Sequence, residues 1–93
     1  ALNGFFTTKV VYANLIFDLC QRLEANYGTI KQVLESHKFG YKNHAEIFHH
    51  GGRGAGGKCL RKDSRVLASL SNTSVLKDIA DQNEMYLKEF PKQ

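Results

Sequence analysis

The feature that most constrains the fold is an apolar pattern over residues 5–23 that repeats at the spacing of an α-helix. It comprises Phe6, Val10, Tyr12, Ile16, Leu19 and Leu23, widened by Phe5, Val11, Leu15 and Cys20. Positions three or four apart share one helix face, so the pattern predicts a long first helix. This helix is too apolar for a small domain of 93 residues to cover. We therefore expect it to pair with its copy in a second subunit, giving a homodimer.

The remaining periodic segments are also helical. Asn26 is a candidate N-cap for a second helix, whose apolar face holds Ile30, Val33 and Leu34. Helical spacing returns at Val66, pauses at residues 71–74, where Asn72 or Ser74 is a candidate cap, and resumes until Pro91. No segment alternates apolar and polar residues over strand length. The sequence therefore predicts one all-α domain, 1–93, a helical bundle with an inserted glycine-rich loop.

Composition excludes several classes of protein. An apolar share of 42% and a charged share of 24% are typical of a folded globular chain. No apolar run approaches the roughly 18 residues of a membrane span, so no membrane partner is expected. The net charge is +4, but acidic and basic residues are interspersed, which makes nucleic acid an unlikely partner. Cys20 and Cys59 lie in different settings, which favours a reducing, cytoplasmic compartment.

The glycine-rich stretch 51–63 matches two phosphate-binding motifs only superficially. Gly52, Gly54 and Gly57 have the spacing of the dinucleotide fingerprint, but the residues before them are too short and polar for its strand. Gly52 to Lys58 also fits the opening of a P-loop, but Cys59 follows where Mg²⁺ needs a hydroxyl. Both interpretations fail on the context that makes the motif work.

A third interpretation takes Cys59 as the functional residue. It follows the glycines, at a predicted helix start, and Lys58, Arg61 and Lys62 flank it, a setting that favours a thiolate. The alternative is an ordinary small residue beside a solvated basic edge.

The run Gly54-Ala55-Gly56-Gly57-Lys58-Cys59-Leu60-Arg61-Lys62-Asp63 resembles the signature around the catalytic cysteine of the UDP-glucose/GDP-mannose dehydrogenase family. Residues 3–9 and 14–20 resemble that family's long helix, and Asn83 falls where its last helix carries an asparagine. Leu60-Arg61 departs from the family's frequent Phe-Pro, and Lys58 from its usual serine. The resemblance implies the central domain of a larger α/β enzyme, with dinucleotide-binding domains on both sides.

The resemblance also implies a reaction. NAD oxidises an alcohol carbon of a nucleotide sugar twice, as from UDP-glucose to UDP-glucuronate, while the cysteine holds a thiohemiacetal and then a thioester. Asp63, one helical turn after Cys59, would activate the hydrolytic water, and Asn3 would donate to the oxyanion or hold that water. Both have plainer interpretations, Asp63 as a first-turn helix aspartate and Asn3 as an N-cap.

Four further positions are predicted to bind substrate by the same resemblance. They are Lys62, Lys38, Gly56 and Gly57. Lys38, with Phe39-Gly40, resembles an Arg-x-Gly that reaches the sugar bound to the neighbouring subunit, although lysine lacks the arginine fork. The family's catalytic lysine would precede Ala1, and NAD would be held mainly by domains outside this chain. We therefore expect the isolated piece to be inactive.

Two other hypotheses are weighed against this one. Five potential zinc ligands occur in one region, but their spacing fits no zinc motif, so no metal is expected; they are His37, His44, His49, His50 and Cys59. The chief rival function is a non-enzymatic helical module that binds phosphate or nucleic acid through the Gly-Arg-Lys loop. Such a module would bind polyanions in a strongly salt-dependent way.

Overall fold

The computed structural model describes residues 2–37 and 44–92. These residues form four helices and, among themselves, no strand: α1 Leu2–Leu23, α2 Tyr27–Ser36, α3 Lys58–Leu70 and α4 Val75–Glu89. A single isolated bridge joins His49 and Gly52. The prediction of an all-α domain with a long first helix and an inserted glycine loop is confirmed.

Helix α1 is the element on which the others assemble. It contacts each of the other three helices, and α3 and α4 also pack against each other. Because α1 is 22 residues long, its two halves pack against different parts of the chain. Its N-terminal half lies beside α3, where Gly4 is so close to Leu67 that an added Cβ would stand 2.4 Å from the leucine Cδ1. That close approach, with the hydrogen bond from Asn3 to Asp63, places the start of α1 against the second and third turns of α3.

The main hydrophobic cluster lies at the other half of α1. Its buried members are Ala13, Cys20, Tyr27, Ala45 and Ile47, with Ile16, Phe17, Ile30 and Leu34 packed around them. Tyr27 ties the segment after the second helix to this cluster, because its hydroxyl donates to the Ala45 carbonyl at 2.7 Å. Cys20 is 5% exposed, so it is a core residue, as expected for a member of the apolar pattern of α1.

The outer face of α1 is apolar, and the described residues leave it exposed. Six large hydrophobic side chains are exposed along it: Leu2, Phe5, Tyr12, Leu15, Leu19 and Leu23. The predicted excess of apolar surface on the first helix is therefore present. A soluble chain rarely leaves such a stripe in water unless a partner covers it.

The helix ends agree with the sequence in part. Asn26 caps α2 as predicted, because its side-chain oxygen accepts from the Gly28 backbone N–H at 2.8 Å. Ser74 occupies the N-cap position of α4, but its side chain makes no capping hydrogen bond. Within the described ranges, none of the helices is both long enough and apolar enough to cross a membrane.

Candidate functional site

The glycine-rich loop begins with a tight turn over residues 49–52. His49 and Gly52 exchange two backbone hydrogen bonds, of 2.8 and 2.9 Å, and the two residues between them, His50 and Gly51, both have positive φ, 52° and 80°. Two successive positive φ values are typical of a primed turn, which reverses the chain sharply. The turn delivers the chain to Arg53 and the glycines.

Arg53 is buried, although it stands inside a run of glycines and is only 4% exposed. Its Nε donates to Asn14 Oδ1 at 2.8 Å, and its Nη2 donates to Asp18 Oδ1 at 2.7 Å. Four aromatic rings lie within 6.0 Å of the guanidinium carbon: Phe17, Phe48, Tyr86 and Phe90. Cation–π contacts of this kind strengthen when water is excluded. Arg53 therefore anchors the loop to α1.

Tyr86 completes this anchor from α4. Its hydroxyl donates to Asp18 Oδ2 at 2.6 Å, so both oxygens of Asp18 have a partner. Burial, followed by the hydrogen bond to Asp18, raises the pKa of Tyr86 to about 12. The phenol therefore stays protonated at neutral pH and keeps donating to Asp18.

The next part of the loop lies directly on α4. Gly54 has a φ of +94°, and an added Cβ would stand 3.2 Å from atoms of Asn83, Leu87 and Tyr86. Asn83, which is 1% exposed, holds the following residue at two points. Its Oδ1 accepts from the Ala55 N–H at 2.7 Å, and its Nδ2 donates to the Ala55 carbonyl at 2.9 Å.

The loop ends at Gly57, which is the N-cap of α3 with a φ of +91° and a ψ of 143°. An added Cβ would meet nothing within 4 Å, so the need for glycine here is conformational rather than steric. Glycine supplies no side-chain cap. The first N–H groups of a helix, here including that of Cys59, have no helical carbonyl to bond. In α3 no side-chain cap at Gly57 replaces that partner.

Cys59 is the second residue of α3 and is exposed. Lys58, Arg61 and Lys62 around it are exposed too. Asp63 follows four residues later in the same helix, so the two side chains lie on one face. The predicted helix start at the cysteine is confirmed.

Asn3 and Asp63 are in direct contact, although they are far apart in the sequence. Asn3 Nδ2 donates to Asp63 Oδ2 at 2.9 Å, joining the first turn of α1 to the second turn of α3. Gly4, next to Asn3, permits the close packing that makes this bond possible. Of the three predicted catalytic residues, Asn3 and Asp63 are therefore in contact, and Cys59 lies one helical turn from Asp63 on α3; their roles stay predictions.

The predicted substrate residues are distributed around this end. Gly56 borders a cavity of about 310 Å³ between α1 and the loop, which His44, His49 and His50 also line. Gly57 borders a cavity of about 470 Å³ beside α3. Lys62 is exposed on α3. Lys38 lies outside the described residues.

The histidines do not form a metal cluster in the part of the chain that the structure describes. Across residues 2–37 and 44–92, no three His, Cys, Asp or Glu side chains are close enough together to hold a metal ion. His44 instead stacks on Phe6, with ring centroids 4.7 Å apart. Burial, and to a smaller extent the nearby Lys9, lowers the pKa of His44.

Sequence reasoning missed the residues that hold the loop in place. The sequence places Arg53 among the basic residues of the loop, whereas in the structure it is buried against Asn14 and Asp18. Asn83 was noticed only through the family resemblance. No local signal indicates the burial of Arg53, because arginine is normally a surface residue.

Comparison with known proteins gives one match. The model of the UDP-glucose/GDP-mannose dehydrogenase family, central domain, matches residues 1–85, which include all of α1 to α3 and most of α4. No curated protein and no solved structure matches the chain.

Proposed function

The chain belongs to the UDP-glucose/GDP-mannose dehydrogenase family, and from this premise we propose that it is the central domain of an NAD-dependent nucleotide-sugar 6-dehydrogenase. The observation that carries the proposal is the hydrogen bond between Asn3 and Asp63, one helical turn from the exposed Cys59. The family is a dehydrogenase family. The proposal adds the nucleotide-sugar alcohol as substrate and Cys59 as the nucleophile.

The described residues do not fit a dinucleotide by themselves. A dinucleotide site needs a strand before its glycines, and residues 44–48 form no strand. The backbone at Gly54 and Ala55 is already occupied by α4. We therefore assign NAD to flanking domains of a longer enzyme; when bound there, it accepts one hydride from the sugar carbon in each of two oxidations.

Cys59 would act between these two oxidations. The first removes a hydride and the hydroxyl proton from the alcohol and leaves an aldehyde. The thiolate sulfur then adds to the aldehyde carbon, and the new oxyanion takes up a proton to give a thiohemiacetal. Loss of a second hydride and of that hydroxyl proton leaves a thioester on Cys59. Its exposure at the start of α3 lets a bulky substrate reach the sulfur.

Asp63 and Asn3 would serve the hydrolysis. Water adds to the thioester carbon, giving up one proton to the Asp63 carboxylate, and the C–S bond breaks to release the uronate and restore the cysteine. Asn3 uses one amide proton to hold Asp63 Oδ2. A side-chain amide has two such protons, so the second can stabilise the oxyanion.

The rival function, binding of phosphate or nucleic acid through the Gly-Arg-Lys loop, would need the arginine of that loop to be exposed. Arg53 is buried, paired with Asp18 and enclosed by aromatic rings, so it does not face solvent where a polyanion could bind. The basic residues after the loop, Lys58, Arg61 and Lys62 at the start of α3, are exposed, but Arg61 is paired with Glu84. We therefore retain the dehydrogenase as the proposed function.

The stoichiometry of the reaction tests this proposal. We expect the full-length enzyme to form two NADH for each uronate released from a nucleotide hexose, because the aldehyde stays bound to Cys59. NADH absorbance and product quantification together measure this ratio. The matched control is a 6-deoxy nucleotide sugar, which lacks the hydroxyl and should give no NADH. A ratio of one, or no reaction with any nucleotide hexose, would count against the proposal.

We also propose that the exposed apolar face of α1 pairs with its copy in a homodimer. Leu15 and Leu19 lie in the C-terminal half of this face and are 44% and 42% exposed, so a charge at either position meets water in a monomer but is buried in a dimer.

The double change Leu15→Glu and Leu19→Glu should therefore give a folded monomer, as measured by sedimentation equilibrium of the full-length protein and by circular dichroism. Val33→Glu is the control, because Val33 is exposed on α2, and it should leave the dimer intact. A wild-type protein that stays monomeric at every concentration would contradict the homodimer.

A further inference from the structure

Asn83 is the side chain through which α4 holds the loop before the cysteine. It is buried, and its amide makes two hydrogen bonds with one residue, accepting from the Ala55 N–H and donating to the Ala55 carbonyl. An amide can do both because it carries a donor and an acceptor side by side. The two bonds fix the backbone at Ala55 in position and in orientation.

We call these two hydrogen bonds between Asn83 and Ala55 the clamp. The chain between the clamp and Cys59 has little else to hold it. It consists of Gly56, Gly57 and Lys58, and Gly57 caps α3 without a side-chain hydrogen bond. The first turn of a helix frays when it lacks a cap. Cys59 lies in that turn, whereas Asp63 lies in the second turn, where Asn3 holds it.

The packing at Gly54 supports the same conclusion. Gly54 has a positive φ, and a Cβ added to it would stand only 3.2 Å from Asn83 and Tyr86, so the loop crosses α4 at a point where glycine is needed. Tyr86 also belongs to the anchor at Asp18 and Arg53. The route of the loop is therefore fixed up to Ala55, and the clamp is its last fixed point before α3.

We propose that Asn83 is a positioning residue, which holds the backbone at Ala55 and thereby sets where the first turn of α3 presents Cys59 relative to Asp63 and Asn3. Its catalytic consequence rests on the proposed dehydrogenase function. The clamp itself does not, because it is a property of the fold.

Asn83→Asp is the sharpest test, because aspartate has almost the same size and still accepts from the Ala55 N–H. When ionised, its second oxygen cannot donate to the Ala55 carbonyl, and the two oxygens repel. In the full-length enzyme we expect kcat to fall by about 100-fold, with a KM change of less than about threefold, as for a displaced catalytic group. Asn83→Ser serves as the second variant, since it removes the clamp without burying a charge.

Hydrogen exchange supplies a readout that does not depend on turnover. The amides of residues 61–64 are the first that bond within α3, beginning with Arg61 to Gly57. They should exchange at least about tenfold faster in both variants, because the first turn opens more often. The amides in the middle of α1 should be unaffected.

Ala80→Gly is the matched control for a loss of stability alone. Ala80 is buried on α4. Glycine at this position weakens the helix but keeps both groups of the Asn83–Ala55 hydrogen bonds. It should lower Tm but leave kcat and the exchange of residues 61–64 near their wild-type values. Unchanged hydrogen exchange at residues 61–64 in both Asn83 variants would overturn the clamp, whether or not their catalytic turnover changes. Faster exchange with full turnover would overturn the positioning role.

Discussion

Cys59→Ser in the full-length enzyme is expected to lower the rate of uronate release by on the order of 10³-fold or more. A serine hydroxyl is far less ionised near neutral pH than a thiol, so it attacks the aldehyde poorly. An acyl group on serine would also be an ester, which is less labile than a thioester. Because the substitution changes one atom at an exposed position, the affinities for nucleotide sugar and NAD should change by less than about threefold.

Product quantification and titration calorimetry measure these two expectations separately. Cys20→Ala is the matched control, since Cys20 is the other cysteine of this chain and is buried in the core. It should cost stability through a small cavity while leaving the turnover of the folded enzyme intact. A Cys59→Ser enzyme that retains most of its turnover would remove Cys59 from the reaction.

Arg53→Met should destabilise this domain by about 2–4 kcal/mol. Asn14 is fully buried, so its Oδ1 loses the Arg53 Nε donor and keeps the cost of desolvation. Asp18 loses its cation as well, but its side chain is 45% exposed, so water offsets part of that loss. Methionine fills the space among the four rings and makes favourable contacts with them, which isolates the polar contribution.

Urea denaturation measures the free energy of unfolding of each variant. Lys31→Met is the control, because it breaks the exposed ion pair between Lys31 and Glu46 and should change stability by no more than the error of the measurement. If Arg53→Met had an equally small effect, the buried arginine would not be the anchor of the loop.

The sequence predicts a helix where apolar periodicity is strong. It gives no periodic signal for a helix where polar residues dominate. Helix α1 and the cap of α2 at Asn26 follow the expected pattern. In α3 the periodicity indicates a helix only from Val66, whereas the helix begins at Lys58. Its first turns carry four charged residues, which leave no apolar stripe, so the place of Cys59 directly after the glycines, rather than periodicity, predicts the helix start.

The candidate site divides in the same way between local and tertiary information. The spacing of Cys59 and Asp63 within one helix is local and could be predicted. The bond from Asn3 to Asp63 depends on the packing of α1 against α3 at Gly4, which no local pattern contains. Arginine is normally a surface residue, so the burial of Arg53 could not be predicted either. It follows from four rings that three separate parts of the chain bring together: α1, the segment before the turn at residues 49–52, and the C-terminal end of α4.

The central claim, that Cys59 carries the substrate as a thioester, is tested most directly by trapping that thioester. Asp63→Asn keeps an oxygen that can accept from Asn3 but removes the carboxylate that would take the proton from water. The full-length Asp63→Asn enzyme, quenched in acid during turnover and digested, should therefore show the substrate acyl mass on the peptide that contains Cys59. Intact-mass analysis should show the same adduct in most subunits and none in the enzyme that also carries Cys59→Ala, which leaves no nucleophile at this position. An absence of adduct during turnover, or an adduct that maps to another residue, would contradict the account.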